Sequence, residues 1–256
     1  MNLLSVDDLA IGFGGLLALS GVGFNVEKGQ VYSIIGPNGA GKTTLFNCIS
    51  GIYRPNTGKI LFKGEPIQGL RPDRVARKGI ARTFQNIELF SHMTVLDNLM
   101  LGRHLFMKTG LFSGALFFHR RSKAARDEIA HRERVEEIID FLDLQWARNQ
   151  FASGLPYGVQ KKVELGRALA LEPELLLLDE PSAGMNMEEK QDLMIWIKDI
   201  QERFGITCLL IEHDMKLVMD ISDRITVLNY GRKIAEGSPD EVQNHPEVLK
   251  AYLGED

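Results

Sequence analysis

The stretch Gly36-Pro37-Asn38-Gly39-Ala40-Gly41-Lys42-Thr43-Thr44 fits the spacing Gly-x4-Gly-Lys-Ser/Thr. Glycines so placed let successive backbone N–H groups turn inward around phosphate oxygens, and the start of a following helix adds its positive dipole end. Lys42 supplies a mobile cation for β- and γ-phosphates, and the Thr43 hydroxyl a ligand for Mg2+. A second cluster, Asp179-Glu180, follows the apolar run Leu175-Leu176-Leu177-Leu178. At the carboxyl end of a parallel strand, Asp179 suits Mg2+ held through water, and Glu180 suits the work of orienting or deprotonating an attacking water. Gln85 and His213 each close a further strand-like run. Alone, Gln85 reads either as a surface amide or as a Mg2+ ligand that positions water, and His213 either as a satisfied structural residue or as a donor to a γ-phosphate.

The elements that must position these groups are legible in outline. The apolar run Val31 to Ile35 reads as the strand entering the loop, and Leu45 to Ile49 as the helix leaving it, with Gly51 as its cap. Residues 3 to 31 read as short antiparallel strands with turns at Gly12, Gly14-Gly15, Gly21, Gly23 and Lys28-Gly29. In that sheet Phe13 serves equally, on spacing alone, as a base-stacking ring or as a core residue. Gly58 to Gly64 alternates as a half-buried strand, Gly79 to Phe84 forms another, and Thr94-Val95-Leu96-Asp97 looks like a capping box. Leu155 to Gln160 leads into a helix through Ala170 with Pro156 in its first turn, a phosphate-binding kind of entry. Thr207 to Ile211 is a buried strand, Arg224 to Asn229 and Arg232 to Glu236 form a hairpin, and the tail is helical.

Composition sets the outer bounds. The 256 residues are 44% hydrophobic and 25% charged, which suits one large α/β core with an inserted lobe. Thirty Lys+Arg against 34 Asp+Glu give a net charge of −4, so no broad basic field invites nucleic acid or an anionic membrane surface. Cys48 and Cys208 lie in apolar runs and offer no disulfide framework, which fits a reducing cytosol. No basic-then-apolar leader opens the chain, and no apolar run approaches the ~20 residues that span a bilayer. A membrane role is therefore expected through partners. Residues 104 to 131 differ in character: the apolar run Leu111 to Phe118 precedes the basic run His119 to Lys123, which reads as a contact for a membrane-embedded partner or headgroups, or as an extra helix with a solvated basic face.

Taken together, the loop, Gln85, Leu155 to Gln160, Leu178-Asp179-Glu180-Pro181, Ser182-Ala183-Gly184-Met185-Asn186 and His213 resemble the ATPase subunit of an ABC transporter, in order and across nearly the whole chain. Phe13-Gly14-Gly15, Arg82 to Asn86, the Leu-Pro-Tyr-Gly form, the 104–131 segment and Tyr252-Leu253-Gly254-Glu255 look like the branched-chain (hydrophobic) amino-acid uptake branch. Relatives serving urea or short amides share much of this pattern. The resemblance implies an α/β P-loop NTPase (RecA-like) core, with the β subdomain, over 1–90 and 160–235. It further implies an α-helical subdomain over 91–159 carrying the insertion, and a helical tail over 236–256. ATP and Mg2+ are implied cofactors, with ATP bound by Phe13 and the loop, Mg2+ by Thr43, Gln85 and Asp179, and catalysis resting on Lys42, Gln85, Glu180 and His213. The implied partners are a second ABC ATPase subunit, identical or related and paired head to tail, membrane-spanning permease subunits met near Ile87 to Phe90, and, indirectly, a periplasmic or extracellular substrate-binding protein. Leu155, Pro156, Tyr157, Gly158, Val159 and Gln160 would then close on the other cassette's ATP at the cytoplasmic face of the inner membrane.

Two motifs depart from the family pattern. Pro156 and Tyr157 replace the Ser and first Gly of Leu-Ser-Gly-Gly-Gln, and Asn186 replaces an Asp. The alternatives are the same fold serving urea or amide uptake, an exporter, a non-transport ABC ATPase, or a scaffold that binds ATP without turnover. Long coiled-coil insertions and a second cassette, expected of repair and translation versions, do not occur, nor does a guanine-reading Asn-Lys-x-Asp motif.

Overall fold

The computed structural model describes residues 2–106 and 123–253, which divide into two compact units: 1–85 with 174–256, and 86–173. The apolar and basic runs expected at 111–122 and the closing Gly254-Glu255 lie outside the described residues. No helix among the described residues is long and apolar enough to cross a membrane.

The first unit contains two sheets. In chain order its strands are β1 (Asn2–Phe13), β2 (Leu16–Glu27), β3 (Val31–Ile35), β4 (Thr57–Phe62), β5 (Glu65–Pro66) and β6 (Ile80–Arg82), then β7 (Leu175–Asp179), β8 (Thr207–Ile211), β9 (Arg224–Asn229) and β10 (Arg232–Gly237). One sheet is antiparallel, in the order β2-β1-β4-β5; the other runs β10-β9-β3-β8-β7-β6, with only the β10 edge antiparallel. Every residue of β3, β7 and β8 is buried. Such near-continuous Val/Ile/Leu runs are what parallel strands covered on both faces require.

The expected series of short N-terminal strands is instead a hairpin of two long ones. Gly12, Gly21 and Gly23 lie inside β1 and β2; Gly14-Gly15 makes the turn between them, and Lys28-Gly29 makes the expected turn after β2. Register shifts between Val6 and Ile11, with Asp8 at φ 45 and Gly21 at φ 69, absorb the irregularity. Bulges let strands bend without ending, so glycines that read as turns mark bends here.

Helix α1 (Lys42–Ile49) follows the phosphate-loop segment and ends as expected, with Ser50 as cap and Gly51 in the left-handed region at φ 80. Its Leu45, Phe46 and Ile49 join a core cluster with β1, β2, β4, β7 and β8. A second cluster unites Ile35, β9 and Ala235 with Val218 of α7 (Met215–Ile221), Val242 of α8 (Pro239–Gln243) and Val248 of α9 (Pro246–Leu253).

The second unit is helical: α3 (Val95–Arg103), α4 (Lys123–Phe141) and α5 (Tyr157–Leu169). Helix α2 (Pro72–Arg77) belongs to the first unit. The Thr94 capping box forms, with the Thr94 hydroxyl accepting from the Asp97 amide at 3.1 Å. Val135, Ile138, Ile139 and Leu142 are buried, as the helical stripe demanded. The core boundary expected at 159/160 falls instead at 173/174, so α5 belongs wholly with the helices. Its own contacts give the reason: a Cβ at Gly166 would meet Leu142 and Leu99 at 3.0 to 3.4 Å, and one at Gly102 would lie 2.6 Å from the Arg167 carbonyl oxygen. Of the apolar residues at 87–90 only Phe90 is exposed, while Ile87 and Leu89 are half-buried; the Asn98 side chain bonds both backbone groups of Phe90, and Arg167 donates to the Glu88 carbonyl.

A side chain at Gly102 must force α3 away from the Arg167 backbone. Gly102→Val is expected to lower stability by about 1–3 kcal/mol; urea unfolding of the full chain checks it, and an unchanged midpoint would contradict the close approach.

Candidate functional site

The phosphate loop begins where β3 ends. Gly36, Gly39 and Gly41 sit at φ 149, 80 and 100, conformations that only glycine adopts without strain. A Cβ at Gly36 would overlap the Leu228 carbonyl oxygen, and one at Gly41 would stand 2.6 Å from that of Ala18. Helix α1 starts at Lys42 with Gly41 as its cap and no side-chain capping bond. Its first amides thus face a side where no cap competes with an anion. A recess of about 220 Å³ lies over this helix end, lined by residues 38 to 44 with Ala18, Glu180 and His213. Thr43 is exposed there, whereas Lys42 is 6% exposed and its Nζ donates to the carbonyls of Gly36 at 2.7 Å and Pro37 at 3.1 Å. Burial lowers the Lys42 ammonium from its ordinary value, and the charges of Glu180 and Asp179 oppose that shift.

Strand order brings the other groups to the same edge. Glu180, one residue beyond β7, sits at φ 49 and donates its N–H to the Ile211 carbonyl at 2.9 Å. One carboxylate oxygen accepts from Gln85 Nε2 at 2.8 Å; the other lies 2.7 Å from His213 Nε2. An ionised Glu180 can only accept, so this contact sets His213 in a form protonated at Nε2. Gln85, Glu180 and His213, predicted singly from strand ends, therefore form one hydrogen-bonded row.

Asp179 is buried, and its Oδ2 accepts from Arg82 at 2.8 Å. The same guanidinium donates to Asn47 Oδ1 at 2.7 Å and Ser50 Oγ at 2.9 Å and lies over the Phe46 and Phe84 rings. Glu212 is also buried. One oxygen accepts from the Ser182 amide at 2.8 Å and the other from the His213 amide at 3.0 Å, joining the His213 turn to the 182–186 segment. Sequence reasoning gave neither Arg82 nor Glu212 a role. The available signal was a charge at the end of an apolar strand, which demands a buried partner. Asn186, where the family has Asp, caps α6 (Met187–Phe204): its side chain accepts from the Glu189 amide at 3.0 Å.

Gln85 and Asp179 adjoin the recess lining through Glu180 without being part of it, and Phe13 and residues 155–160 are not in it either. Phe13 is 47% exposed and packs edge-on against Tyr53 with ring centroids 5.1 Å apart, which sets aside the core reading. The residues 155–160 lie in the second unit. There Pro156 is the cap of α5 rather than part of its first turn, because its ψ of 152 is extended. Leu155 and Gly158 are buried, Val159 is half-buried, and Gln160 Nε2 donates to the Leu155 carbonyl at 2.8 Å. Tyr157 is exposed, with Lys161 Nζ 5.9 Å from its ring centroid.

Among the described residues no group of three or more His, Cys, Asp or Glu could hold a metal ion. The oxygens of Thr43, Gln85 and Asp179 are hard donors of the kind Mg2+ takes when substrate phosphates complete its shell. They fit that ion.

The family model for ABC transporters matches residues 19–183, and one for branched-chain amino acid ATP-binding cassette transporters matches 232–256. The chain is 46% identical to the high-affinity branched-chain amino acid transport ATP-binding protein BraF of Pseudomonas aeruginosa, over 99% of this chain and 98% of that one. Its identity to LivG of Escherichia coli, described in the same words, is 45% over the same shares. The solved ADP conformation of MJ1267, an ATP-binding cassette of an ABC transporter, superposes with a TM-score of 0.85 at 34% identity, covering all of both chains.

Removing the Arg82 guanidinium leaves the Asp179 carboxylate buried without that partner. Arg82→Met is expected to cost about 3–5 kcal/mol, and adding Asp179→Asn to recover part of it; chemical unfolding of both variants checks this, and additive losses would contradict a coupled pair.

Proposed function

We propose a working cycle that starts from a plain premise: this chain belongs to the ABC transporter family, as an ATP-binding subunit of its branched-chain amino acid branch. The chain hydrolyses ATP, and the energy drives uptake of branched-chain or other hydrophobic amino acids through membrane-spanning partners. One observation carries the catalytic part, the Glu180 carboxylate held at both oxygens beside the phosphate loop.

The nucleotide's phosphates lie over the start of α1, against the backbone N–H groups of residues 39 to 44. Lys42 exchanges the Gly36 and Pro37 carbonyls for β- and γ-phosphate oxygens. Because burial disfavours its charge, an anion there is gained at a site already short of solvent. Mg2+, when bound through Thr43, Gln85 and Asp179, would neutralise charge on the β- and γ-oxygens. Glu180 orients the attacking water and takes its proton as the bond from the γ-phosphorus to the leaving ADP oxygen breaks. In the cycle His213 turns its Nε2–H from Glu180 toward the developing charge, and Gln85 keeps the Glu180 carboxylate in register. Phe13, exposed at the end of β1, stacks on the base.

Cassettes of this family form dimers. In the head-to-tail pair proposed here, residues 155–160 of one cassette cover the nucleotide held by the Lys42 loop of its partner. With Pro156 lacking a hydroxyl, Gly158 and the α5 helix end carry that contact. Closure is favoured by contacts to the γ-phosphate and released when hydrolysis removes it, a shift in population with a mechanical readout.

Lys42→Ala is expected to weaken ATP binding at least about tenfold, as loss of a charge-assisted contact of roughly 1.5–3 kcal/mol implies. Equilibrium binding of labelled ATP reads it, and wild-type affinity would remove the loop from the account. Cells lacking this chain should lose leucine uptake and keep urea and glutamate uptake; unchanged leucine uptake would overturn the cargo.

A further inference from the structure

The His213 side chain is 40% exposed, so packing alone does not hold its ring 2.7 Å from the Glu180 carboxylate. In the cycle proposed above that ring turns from Glu180 toward the γ-phosphate. A ring that swings keeps its aim only if the backbone carrying it stays still.

The two residues flanking His213 are each tied by a side chain to the segment that follows Glu180. On one side, buried Glu212 accepts from the Ser182 amide at 2.8 Å and from the His213 amide at 3.0 Å. On the other, Asp214 uses both of its oxygens. Oδ1 accepts from the Leu217 amide at 3.2 Å and so caps α7, while Oδ2 accepts from Lys190 Nζ at 2.7 Å. Lys190 is the fourth residue of α6, and its amide donates to the carbonyl of the cap residue Asn186 at 3.0 Å. A cation near the amino end of a helix gains nothing from the dipole, so the partner that accounts for its placement is the Asp214 carboxylate. The starts of α6 and α7 thus meet at one ion pair beside His213.

Each side chain of that pair is 28% exposed, and a pair so placed contributes little to stability. What it fixes is the path of the chain leaving His213. The Lys190 hydrogen bond first, and the Leu217 amide second, hold the Asp214 carboxyl below its ordinary value against the effect of burial, so the pair is intact through the neutral range.

We propose that Lys190 is a positioning residue for hydrolysis: through Asp214 it anchors the backbone after His213, as Glu212 anchors the backbone before it, so that the imidazole turns toward the γ-phosphate from a fixed base. The inference rests on the role given to His213 above.

Lys190→Met keeps a long side chain and removes its charge. Asp214→Asn loses the carboxylate and keeps the α7 cap, because asparagine caps as well as aspartate. Both are expected to slow hydrolysis at saturating ATP about tenfold, within the cost of misplacing a reacting group, with the Kd for ATP unchanged; Lys190→Arg should recover most of the rate. In a His213→Ala chain, adding Lys190→Met should cost nothing more, since residues that act as a unit are not additive. A wild-type rate in either variant, a loss of affinity in place of rate, or the same tenfold loss with His213 already removed would overturn the anchor and leave the site standing. A His213→Ala chain that hydrolyses ATP at the wild-type rate would instead overturn the role of His213, and the inference with it.

Discussion

The order of strands in the parallel sheet is the constraint on which the site depends. β7 lies between β6 and β8, and β3 lies on the far side of β8. A residue just past the end of β7 therefore has groups from the ends of β6 and β8 on either side. Glu180 occupies that position, with Gln85 bonded to one oxygen and His213 to the other. The phosphate loop follows β3 at the same edge, so the carboxylate and the helix end line one recess. This is the crevice beyond the carboxyl ends of the strands where open α/β sheets bind ligands. The left-handed backbone at Glu180, held by the hydrogen bond its N–H donates to the Ile211 carbonyl, turns a strand end into a fixed carboxylate rather than a swinging one.

Behind that row sits a layer of buried charge. Arg82 joins Asp179 to Asn47 and Ser50 at the far end of α1. Glu212 joins His213 to Ser182. Neither arrangement is a cheap source of stability, since buried charges are costly to desolvate and repay it only when fully bonded. Their effect is to restrict motion: the strand ends, the helix after the phosphate loop and the segment leading to α6 are tied to the same few side chains.

How much of this could be read beforehand depends on distance along the chain. The phosphate loop is local, since its glycines, lysine and threonine lie within nine residues, and its spacing alone identifies it. Glu180 and His213 were legible because each follows a run too apolar to be anything but a buried strand. The capping box at Thr94 and the Arg224 to Glu236 hairpin are likewise local. The bond from Arg82 to Asp179 spans 97 residues, and no local pattern encodes which buried charge meets which. The same holds for the N-terminal hairpin, where bends and turns both call for glycine, and for α5, whose entry motif suggested a core element while its Gly166 face packs on Leu99 and Leu142.

The central claim is that the doubly held Glu180 carboxylate directs water at the γ-phosphate. Single-turnover phosphate release from pre-bound ATP in Glu180→Gln tests it most directly, because the amide keeps the size of the side chain and removes its charge and its capacity as a base. The account predicts ATP bound as tightly as in wild type and release slowed about a hundredfold or more, the scale of a lost general base. Release at the wild-type rate would contradict it.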